Sequence, residues 1–283
     1  MAKIENKIGV LGAGNMGEAF VGALVRSKVS EPAMIAISDV RKERLDFMHA
    51  MYGVLPFTDN FKLFNDCAVV ILAVKPQQTE AVLQQIAGHS GYGMAARKLF
   101  ISIAAGIPIR KMEALLYAPL DEGMRKKLPI IRVMPNTPAL VLAGMSGMSA
   151  NANATPEDLE TTRTILGALG KVMEFKEADL DAVTALSGSG PAYVFYFIES
   201  MIAGGLAAGL EPDASETLTL QTLEGALRLL RERKEPPEDL RRKVTSPGGT
   251  TEAALKVMES HQVKQNIVAA IVAAARRSQE LSR

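Results

Sequence analysis

A glycine-rich turn between a strand and a helix constrains this chain more than any other feature. The segment KIGVLGAGNMG covers residues 7–17 and begins with an apolar, strand-forming run. The spacing G-x-G-x-x-G, after a strand and before the amphipathic segment 15–27, is the context that a dinucleotide-binding turn requires. A plain tight turn between strand and helix is the alternative. We predict that free N–H groups of this turn bind a pyrophosphate, and the residues concerned are Gly12, Ala13, Gly14, Asn15, Met16 and Gly17.

The first half of the chain alternates strand and helix patterns around this turn. Apolar runs predict strands at 7–14, 34–39, 67–76, 99–106, 129–135, 144–150 and 171–175. Helical patterns lie at 15–27, 41–51 and 156–170, the last opened by Pro156 and closed by Gly170. Such alternation is typical of βαβ units in a parallel sheet covered on both faces. In this setting Gly12 permits the bend, Gly14 lets the backbone approach the pyrophosphate, and Gly17 lets the helix pack close to the strand.

From about residue 177 onward the sequence predicts helices alone, chiefly at 192–210, 214–233 and 261–281. We therefore predict an α/β fold with a Rossmann-type dinucleotide-binding domain over 1–176 and an all-helical domain over 177–283. About a hundred residues is small for an independent core. Helix 192–210 is apolar around most of its circumference and must be buried. The pattern predicts that two chains pack together through this domain, which makes it a dimerisation domain.

Composition narrows the class of protein. A net charge of +1 gives no electrostatic basis for binding nucleic acid or an acidic membrane surface. No apolar run is long enough to span a bilayer and the N-terminal pattern is not that of a signal peptide, so we expect a cytoplasmic protein. The single cysteine, Cys67, fits a reducing compartment and is expected to be a buried apolar residue. Three scattered histidines and no Cys/His cluster predict no metal site.

The end of the second predicted strand, where the adenosine ribose is expected, carries opposing signals. Asp39 lies about twenty positions after the glycines, where an acidic residue accepts hydrogen bonds from the ribose 2′-OH and favours NAD. Ser38, Arg41 and Lys42 would instead hold a 2′-phosphate, or the two cations lie on a solvated helix face. The sequence predicts NADPH or NADH as the cofactor. Because Asp39 ends the second strand, it slightly favours the prediction that activity with NADH is substantial.

Two further strand ends are expected to line the cofactor, because ligands of open α/β sheets lie at the carboxyl ends of strands. The small residues after the second of these strands leave room for a nicotinamide ring. Lys75 is expected to contribute backbone while its side chain points outward. The predicted residues are Ala73, Val74, Lys75 and Pro76 after one strand and Ala104, Ala105 and Gly106 after the next. The stiff loop at 134–138 is either a rigid turn or a substrate contact.

A second glycine-rich turn precedes a helix late in the chain, in the segment SPGGTTE at 246–252. Its glycine pair exposes consecutive N–H groups at a helix N-terminus, which is an anion site. Because a pyrophosphate is already assigned to the first turn, we interpret this one as the pocket for a substrate carboxylate. A simple capped helix start is the alternative.

Taken together, five motifs closely resemble the pyrroline-5-carboxylate reductase family. They are GAGNMG (12–17), AVKP (73–76), RVMPNTP (132–138), LSGSGPAY (186–193) and KVTSPGGTT (243–251), in family order and spacing over nearly the whole chain. SGSGPAY and SPGGTT are highly specific, whereas GAGNMG alone is not. The resemblance implies a Rossmann domain followed by a helical dimerising domain. It also implies hydride transfer from NAD(P)H to the C=N carbon of 1-pyrroline-5-carboxylate, giving proline.

The resemblance further implies roles for individual residues. Thr251 would hydrogen-bond the ring nitrogen as the catalytic contact, and Asn60 would lie near the adenosine ribose. The implied substrate-binding set is Val244, Ser246, Gly248, Gly249, Thr250 and Thr251. The implied partners are pyrroline-5-carboxylate, proline and further copies of the chain, as a homodimer or a larger assembly of dimers, with no nucleic acid or membrane. Because a protonated imine is already a strong electrophile, orientation supplies much of the rate and no acid–base pair is expected.

Two other functions fit parts of the sequence. β-Hydroxyacid dehydrogenases share the domain plan and resemble the chain at GSGPAYV, but carry a catalytic lysine four residues after the second glycine of that motif. Counted from Gly190, that position here is Val194, which disfavours alcohol oxidation. A non-enzymatic NAD(P)-sensing protein would not need the second anion site at 246–251.

Overall fold

The computed structural model describes residues 2–282. These residues belong to two compact units. The first unit comprises Met1–Ser189 and Ala274–Arg283, and the second comprises Gly190–Ala273. The last part of the C-terminal helix, from Ala274, therefore belongs to the first unit.

Eight strands form one sheet in the first unit. In chain order they are β1 (Ile8–Leu11), β2 (Ile35–Ser38), β3 (Leu55–Phe57), β4 (Val69–Leu72), β5 (Leu99–Ser102), β6 (Ile130–Met134), β7 (Gly144–Ala150) and β8 (Gly170–Glu174). Their order across the sheet is β3-β2-β1-β4-β5-β6-β7-β8. The order reverses between β1 and β4, which is the switch point where doubly wound sheets bind ligands. The predicted α/β fold class is confirmed.

Two strands depart from the predicted parallel sheet, since β7 and β8 run opposite to the other six. All neighbouring pairs are parallel except β6 and β7, which run antiparallel. The connection from Met134 to Gly144 contains only a short 3₁₀ turn, Thr137–Val141. A parallel pair needs a crossover of a dozen residues or more, so this connection can only return the chain antiparallel.

Helices cover both faces of the sheet. They are α1 (Asn15–Arg26), α2 (Lys42–Tyr52), α3 (Asn60–Asp66), α4 (Pro76–Ala87), α5 (Ile109–Leu116), α6 (Glu122–Lys126), α7 (Pro156–Gly167) and α8 (Leu180–Val183). Successive strand residues face opposite sides, as in β4, where Val69 and Ile71 join one core cluster and Val70 and Leu72 join the other. The central strands are therefore buried on both faces, which explains why they are nearly continuous apolar runs.

The helix predicted at 156–170 is shorter in the structure. Thr155 and Asp158 form a capping box at its start, and α7 ends at Gly167. Gly170 does not close the helix but opens β8, with a φ of 152°. A Cβ at Gly170 would lie 2.0 Å from the Gly144 carbonyl oxygen, so this strand pairing requires glycine.

Residues 177–189 pack within the first unit. The Glu177 carboxylate accepts the Ile109 N–H at 2.7 Å and Arg132 Nη1 at 3.2 Å. A Cβ at Gly147 would lie 2.8 Å from Val183, so β7 and the segment after Lys176 are in close contact. The compact unit thus extends beyond residue 176, and the predicted domain boundary after residue 176 stays a prediction.

The second unit is helical. It contains α9 (Gly190–Ala207), α10 (Pro212–Arg233), α11 (Pro237–Lys243), α12 (Thr250–Ser260) and most of α13 (Val263–Leu281). Helices α9 and α10 pack together through small residues, since a Cβ at Gly205 would lie 2.8 Å from Ser215 Oγ. As expected, no strand follows β8 in the described part of the chain.

Candidate active site

The glycine turn has the steric properties that its spacing predicts. Gly12 has a φ of 104°, and a Cβ there would lie 2.9 Å from the Ala73 carbonyl oxygen. A Cβ at Gly17 would lie 2.0 Å from the Gly12 carbonyl oxygen, so only glycine lets α1 approach the turn. A Cβ at Gly14 would meet nothing within 4 Å. The space beside Gly14 is therefore open to a ligand that approaches the backbone.

Four consecutive N–H groups are free at this turn. The Gly12 N–H donates to the Ser38 carbonyl and the Glu18 N–H donates to the Gly14 carbonyl, both in about the usual hydrogen-bond range. Between them, the N–H groups of residues 14–17 have no acceptor among residues 2–282. A helix N-terminus with several free donors binds a phosphate group.

Asp39 is hydrogen-bonded to the glycine-rich turn at residues 12–17. Its carboxylate accepts the Ala13 N–H at 2.9 Å and both the backbone N–H and Nε of Arg41, at 2.9 and 3.0 Å. Only 9% of the side chain is exposed. Burial opposes ionisation of Asp39, but these hydrogen bonds and the charge of Arg41 outweigh it and hold its pKa below the ordinary value. Asp39 thus fixes the turn and Arg41 in addition to any contact with a ribose.

Arg44 supports the same turn, a role that sequence analysis missed. Its Nε donates to the Ala13 carbonyl at 2.9 Å and its Nη2 to Glu18 at 2.6 Å. No sequence signal indicates a backbone contact for Arg44, and only the packing of α2 beside α1 brings its side chain to the turn. Together Asp39 and Arg44 bind both polar groups of the Ala13 backbone, so the turn is held from below.

Ser38 and Asn60 lie together at the end of β2. The buried Ser38 hydroxyl donates to Asn60 Oδ1 at 2.7 Å, and Asn60 Nδ2 donates to Gln85 at 2.9 Å. Asn60 is the first residue of α3, whose N-cap Asp59 accepts the N–H groups of Phe61 and Lys62. The structure therefore brings Asn60 to the strand end where the ribose is expected.

The other predicted cofactor residues follow the neighbouring strands. The last residues of four strands pair in register, Ser38 with Leu11, Leu11 with Leu72 and Leu72 with Ser102. The segments that follow them therefore lie at one edge of the sheet. Lys75 is the N-cap of α4 and its side chain is exposed.

The turn after β5 lies beside residues from the C-terminal end of α13. Ala104 is buried, and Gly106 has a φ of 73°. A Cβ at Gly106 would lie 3.4 Å from Leu281 Cβ and from its carbonyl oxygen. The end of α13 is held nearby, since Ser278 Oγ donates to Asp181 at 2.6 Å. Residues near the C-terminus thus border this turn, which no sequence signal indicates.

Asn136 connects two of the recognised motifs. Its Oδ1 accepts the Met145 N–H at 2.8 Å, and its Nδ2 donates to the carbonyl and hydroxyl oxygens of Ser187, both at 3.3 Å. Ser187 lies in a π-helical turn, Thr184–Gly188. These contacts support the interpretation of the 134–138 loop as a rigid turn.

In the second glycine-rich turn, both glycine N–H groups are already used. Gly248 has a φ of 71°, and its N–H donates to the Glu252 carboxylate at 2.8 Å. The Gly249 N–H donates to the Ser246 carbonyl at 3.0 Å. This differs from the expectation that the glycines themselves present the anion-binding groups. The difference arises because the turn closes on itself before α12 begins.

The free N–H donors lie just after the glycine pair, in the first turn of α12. Gly249 is the N-cap of α12, with no side chain to cap the helix. Within residues 2–282, the N–H groups of Thr250, Thr251 and Glu252 have no acceptor. The hydroxyls of Thr250 and Thr251 also make no hydrogen bond in the described chain, and the Thr250 and Val244 side chains are exposed. The helix start thus keeps three donors and two hydroxyls for a ligand.

The predicted cofactor residues all belong to the first unit and the predicted substrate residues all belong to the second. Each set is brought together within its own unit.

Three expectations from composition concern membrane-spanning helices, metal ligands and the single cysteine. No helix in residues 2–282 combines the length and apolar character needed to cross a bilayer. The same residues contain no cluster of three or more metal-ligating side chains. Cys67 is buried, and burial raises the pKa of its thiol to about 12, so it is an inert thiol at neutral pH.

Two family models match the chain. The one described as pyrroline-5-carboxylate reductase dimerisation matches residues 177–281. The one described as NADP oxidoreductase, coenzyme F420-dependent, matches residues 7–106. The first match covers the helical region that the sequence predicts to dimerise.

Relatives extend the match to the whole chain. The pyrroline-5-carboxylate reductase of Synechocystis is 40% identical over 98% of this chain and 98% of its own. The solved structure of the Coxiella burnetii pyrroline-5-carboxylate reductase has a TM-score of 0.88 at 34% identity, covering 99% of this chain and 100% of that chain. The Plasmodium falciparum pyrroline carboxylate reductase, solved with NADP bound, has a TM-score of 0.86 at 30% identity and covers both chains fully. Full-length identity at this level, on top of the two turns described above, places the chain in the pyrroline-5-carboxylate reductase family.

Proposed function

We propose that the chain reduces the C=N bond of 1-pyrroline-5-carboxylate to L-proline with NADPH or NADH, the last step of proline synthesis. The observation that carries this proposal is a pair of helix starts with free donors in a chain of this family. One is the turn at 14–17 with four free N–H groups, and the other is the start of α12 with three.

The first turn fits a dinucleotide. Open space beside Gly14 and the free N–H groups of residues 14–17 suit a pyrophosphate. A bound NADPH or NADH supplies the hydride. The residues at the ends of β4 and β5 would orient the nicotinamide, and the small residues Ala104, Ala105 and Gly106 would leave room for its ring.

At the adenosine end, Asp39 and Arg41 act in opposite directions. The carboxylate of Asp39 opposes a 2′-phosphate, but its charge is largely compensated by Arg41 and the Ala13 N–H. The Arg41 side chain is 56% exposed and can contact a phosphate. Both cofactors are therefore used, with less than about a hundredfold preference, and Ser38 and Asn60 hold the ribose.

The start of α12 fits the substrate. The free N–H groups of Thr250 and Thr251, with the positive end of the helix dipole, bind the substrate carboxylate. The Thr251 hydroxyl hydrogen-bonds the ring nitrogen. Val244, Ser246, Gly248 and Gly249 shape the turn that presents these groups. The chain's residues thus bind and orient, and no side chain is required to withdraw a proton from a carbon or an alcohol.

Oxidation of a β-hydroxy acid is the second candidate, and one residue counts against it. The position of that family's catalytic lysine is Val194 here, an apolar side chain that cannot act as a base.

The active form is a homodimer. Helices α9 and α13 expose large apolar side chains within one chain, among them Tyr196 at 73% and Val268 at 55%. Large apolar side chains exposed in this number mark an interface. Assembly beyond the dimer and location in the cytoplasm stay predictions from the sequence.

The test is a steady-state assay of the purified full chain. NADPH and NADH oxidation are followed with 1-pyrroline-5-carboxylate, and NAD(P)⁺ reduction is followed with a panel of β-hydroxy acids. We expect turnover only with the imino acid. Turnover of a hydroxy acid would identify a dehydrogenase, and cofactor binding without any turnover would identify a sensor. Either result overturns the proposal.

A further inference from the structure

We propose that Glu252 is a positioning residue of the substrate turn, with two separable effects. Its carboxylate holds the turn at Gly248, and its charge lowers the affinity of the turn for a substrate carboxylate. The inference rests on the proposed function, because it assigns a carboxylate substrate to the start of α12.

The first effect follows from the hydrogen bonds of the turn. In an ordinary capping box, a glutamate three residues into the helix bonds the N–H of the N-cap residue. Here the N-cap is Gly249, and its N–H is already taken by the Ser246 carbonyl. Glu252 therefore reaches one residue further back and accepts the Gly248 N–H at 2.8 Å. Gly248 has a φ of 71°, and as a glycine it could adopt many other conformations. The hydrogen bond to Glu252 fixes it in this one.

The second effect follows from charge. Glu252 lies beside the same helix start whose N–H groups at 250–252 are free. A carboxylate bound there would share the helix terminus with another negative charge, and like charges at close range weaken binding. Lys256 lies 3.5 Å from the other Glu252 oxygen but is 71% exposed, so its compensation is screened by solvent.

This charge also explains what the glutamate does when no substrate is bound. A helix N-terminus without a side-chain cap favours a nearby anion. Glu252 supplies that anion from within the chain, and it does so at Gly248, leaving the three donors at 250–252 unoccupied. Glu252 thus fixes the turn before substrate binds, but its charge lowers the affinity for the substrate carboxylate.

Glutamine and alanine substitutions separate the two effects. Glu252→Gln keeps an acceptor for the Gly248 N–H and removes the charge. Its KM for pyrroline-5-carboxylate should fall about three- to tenfold, the effect of a unit charge about 6 Å away at a dielectric constant of about 40–80. The kcat should stay within about twofold, and the KM difference from wild type should shrink as salt is added. Glu252→Ala also loses the hydrogen bond, so its kcat should fall below that of the glutamine variant.

Glu259→Gln is the matched control. Glu259 lies two turns further along α12 and lines the same cavity of about 360 Å³ as Glu252, together with Arg241, Arg242 and Lys256. In the described chain it makes no hydrogen bond to the turn at 246–249. Its removal changes the net charge equally, so its KM should stay at the wild-type value.

Two direct measurements complete the test. Amide hydrogen exchange at Gly248 should be slow in wild type and Glu252→Gln and faster in Glu252→Ala. Calorimetric binding of L-proline should be tighter to Glu252→Gln than to wild type. An unchanged or higher KM in Glu252→Gln, or an equal fall in Glu259→Gln, overturns the charge effect; equal exchange in all three proteins overturns the positioning effect. If wild type fails to turn over pyrroline-5-carboxylate, the proposed function falls, while exchange and proline binding still decide the role of Glu252.

Discussion

The two units of the chain differ in where their apolar side chains go. In the first unit, every residue of β1, β2, β4 and β5 is buried, and two apolar clusters cover the two faces of the sheet. In the second unit, only Ser215 and Thr219 are buried among the described residues, whereas Phe195, Tyr196, Leu218 and Val268 are each more than half exposed. One unit completes its core within a single chain, and the other requires a second chain to complete it.

This difference separates two kinds of stability. The first unit owes its stability to burial within the chain, which does not depend on protein concentration. The apolar surface of the second unit is removed from water only by association, so its stability is linked to the concentration of the chain. Function is divided in the same way, since the proposed cofactor residues lie in the first unit and the proposed substrate residues in the second.

The largest effect is expected from a charge placed on the exposed apolar surface of the second unit. Phe195 on α9 is 59% exposed in one chain. Phe195→Glu would bury an unpaired carboxylate in the dimer, at a cost of several kcal/mol. We expect a monomer with at least about a hundredfold loss of activity, measured by light scattering and steady-state assay. Phe47→Glu, on α2 of the first unit, is the control and should remain a dimer. An active dimer of Phe195→Glu would show that α9 needs no partner.

The next largest effect is expected at the glycine turn of the first unit. Gly17→Ala places a Cβ 2.0 Å from the Gly12 carbonyl oxygen, so the backbone must shift. Cofactor affinity should fall at least about a hundredfold, or 2.7 kcal/mol, while the dimer persists. The control is Gly14→Ala, whose Cβ meets no protein atom within 4 Å and should leave the melting temperature unchanged. Cofactor titration and thermal unfolding measure both. Normal cofactor binding in Gly17→Ala would contradict the close approach of α1.

A smaller effect is expected at the substrate turn of the second unit. Thr251→Ala removes one hydrogen bond to a charged or developing-charge group, worth about 1.5–3 kcal/mol. The kcat/KM for pyrroline-5-carboxylate should fall roughly ten- to hundredfold while cofactor affinity barely changes. Thr250→Ala is the neighbouring control and should lose far less. Near-normal turnover of Thr251→Ala would contradict the substrate contact at Thr251. A loss of cofactor affinity as large as the loss of kcat/KM would contradict the assignment of the two sites to different units.

Cofactor choice should respond more modestly. Asp39→Ser removes the negative charge beside the proposed 2′-phosphate position and releases Arg41. The ratio of kcat/KM with NADPH to that with NADH should rise about tenfold, since one unfavourable contact of about 1.4 kcal/mol is removed. Arg41→Ala should move the ratio the other way. A wild-type preference for NADPH of a hundredfold or more would show that Asp39 does not influence the choice.

The smallest effect is expected in the pH dependence of the first unit's stability. Burial opposes ionisation of Asp158, but hydrogen bonds from Arg97 and Thr155 and the charge of Arg97 outweigh it, so its pKa lies below the ordinary value. The resulting stability is present above the unfolded pKa of about 3.9 and is lost as pH falls through the folded pKa. Asp158→Asn should lower the unfolding free energy by about 1 kcal/mol at pH 7, and by progressively less toward pH 3. The exposed Asp46→Asn should show no such trend, and an equal deficit for Asp158→Asn at both pH values would contradict this account.

Local steric rules explain what the sequence predicts correctly. The proposed roles of Gly12, Gly14 and Gly17 follow from spacing within one strand–turn–helix segment. A Cβ at Gly12 or Gly17 would collide with a backbone carbonyl, and the space beside Gly14 is open. The seven predicted strands are present, and the central ones are buried apolar runs that the sequence shows directly. β3 was missed: at three residues it is too short to show a pattern.

What the sequence cannot predict depends on contacts between distant segments. The reversal of strand direction between β6 and β7 depends on the length of a connection, and Arg44 reaches the Ala13 carbonyl only because α2 packs beside α1. Asp39 was placed at the correct strand end, but its bond to the Ala13 N–H is tertiary. At the substrate turn, the Gly249 N–H is used by Ser246, and that local closure moves the free donors to 250–252.

The return of α13 to the first unit has a consequence for how the protein can be dissected. Residues 190–273 form, in effect, an insertion within the cofactor-binding fold, whose sequence resumes at Ala274. Truncation after Ser189 would remove Leu281 from beside Gly106 and Ser278 from Asp181. A protease cut within the insertion, in contrast, would leave both flanking pieces of the first unit, and Ser278 with Asp181 would help to keep the short one attached. A recombinant cofactor-binding fragment should therefore join the segment that ends at Ser189 to the segment that begins at Ala274, and should not simply end at Ser189.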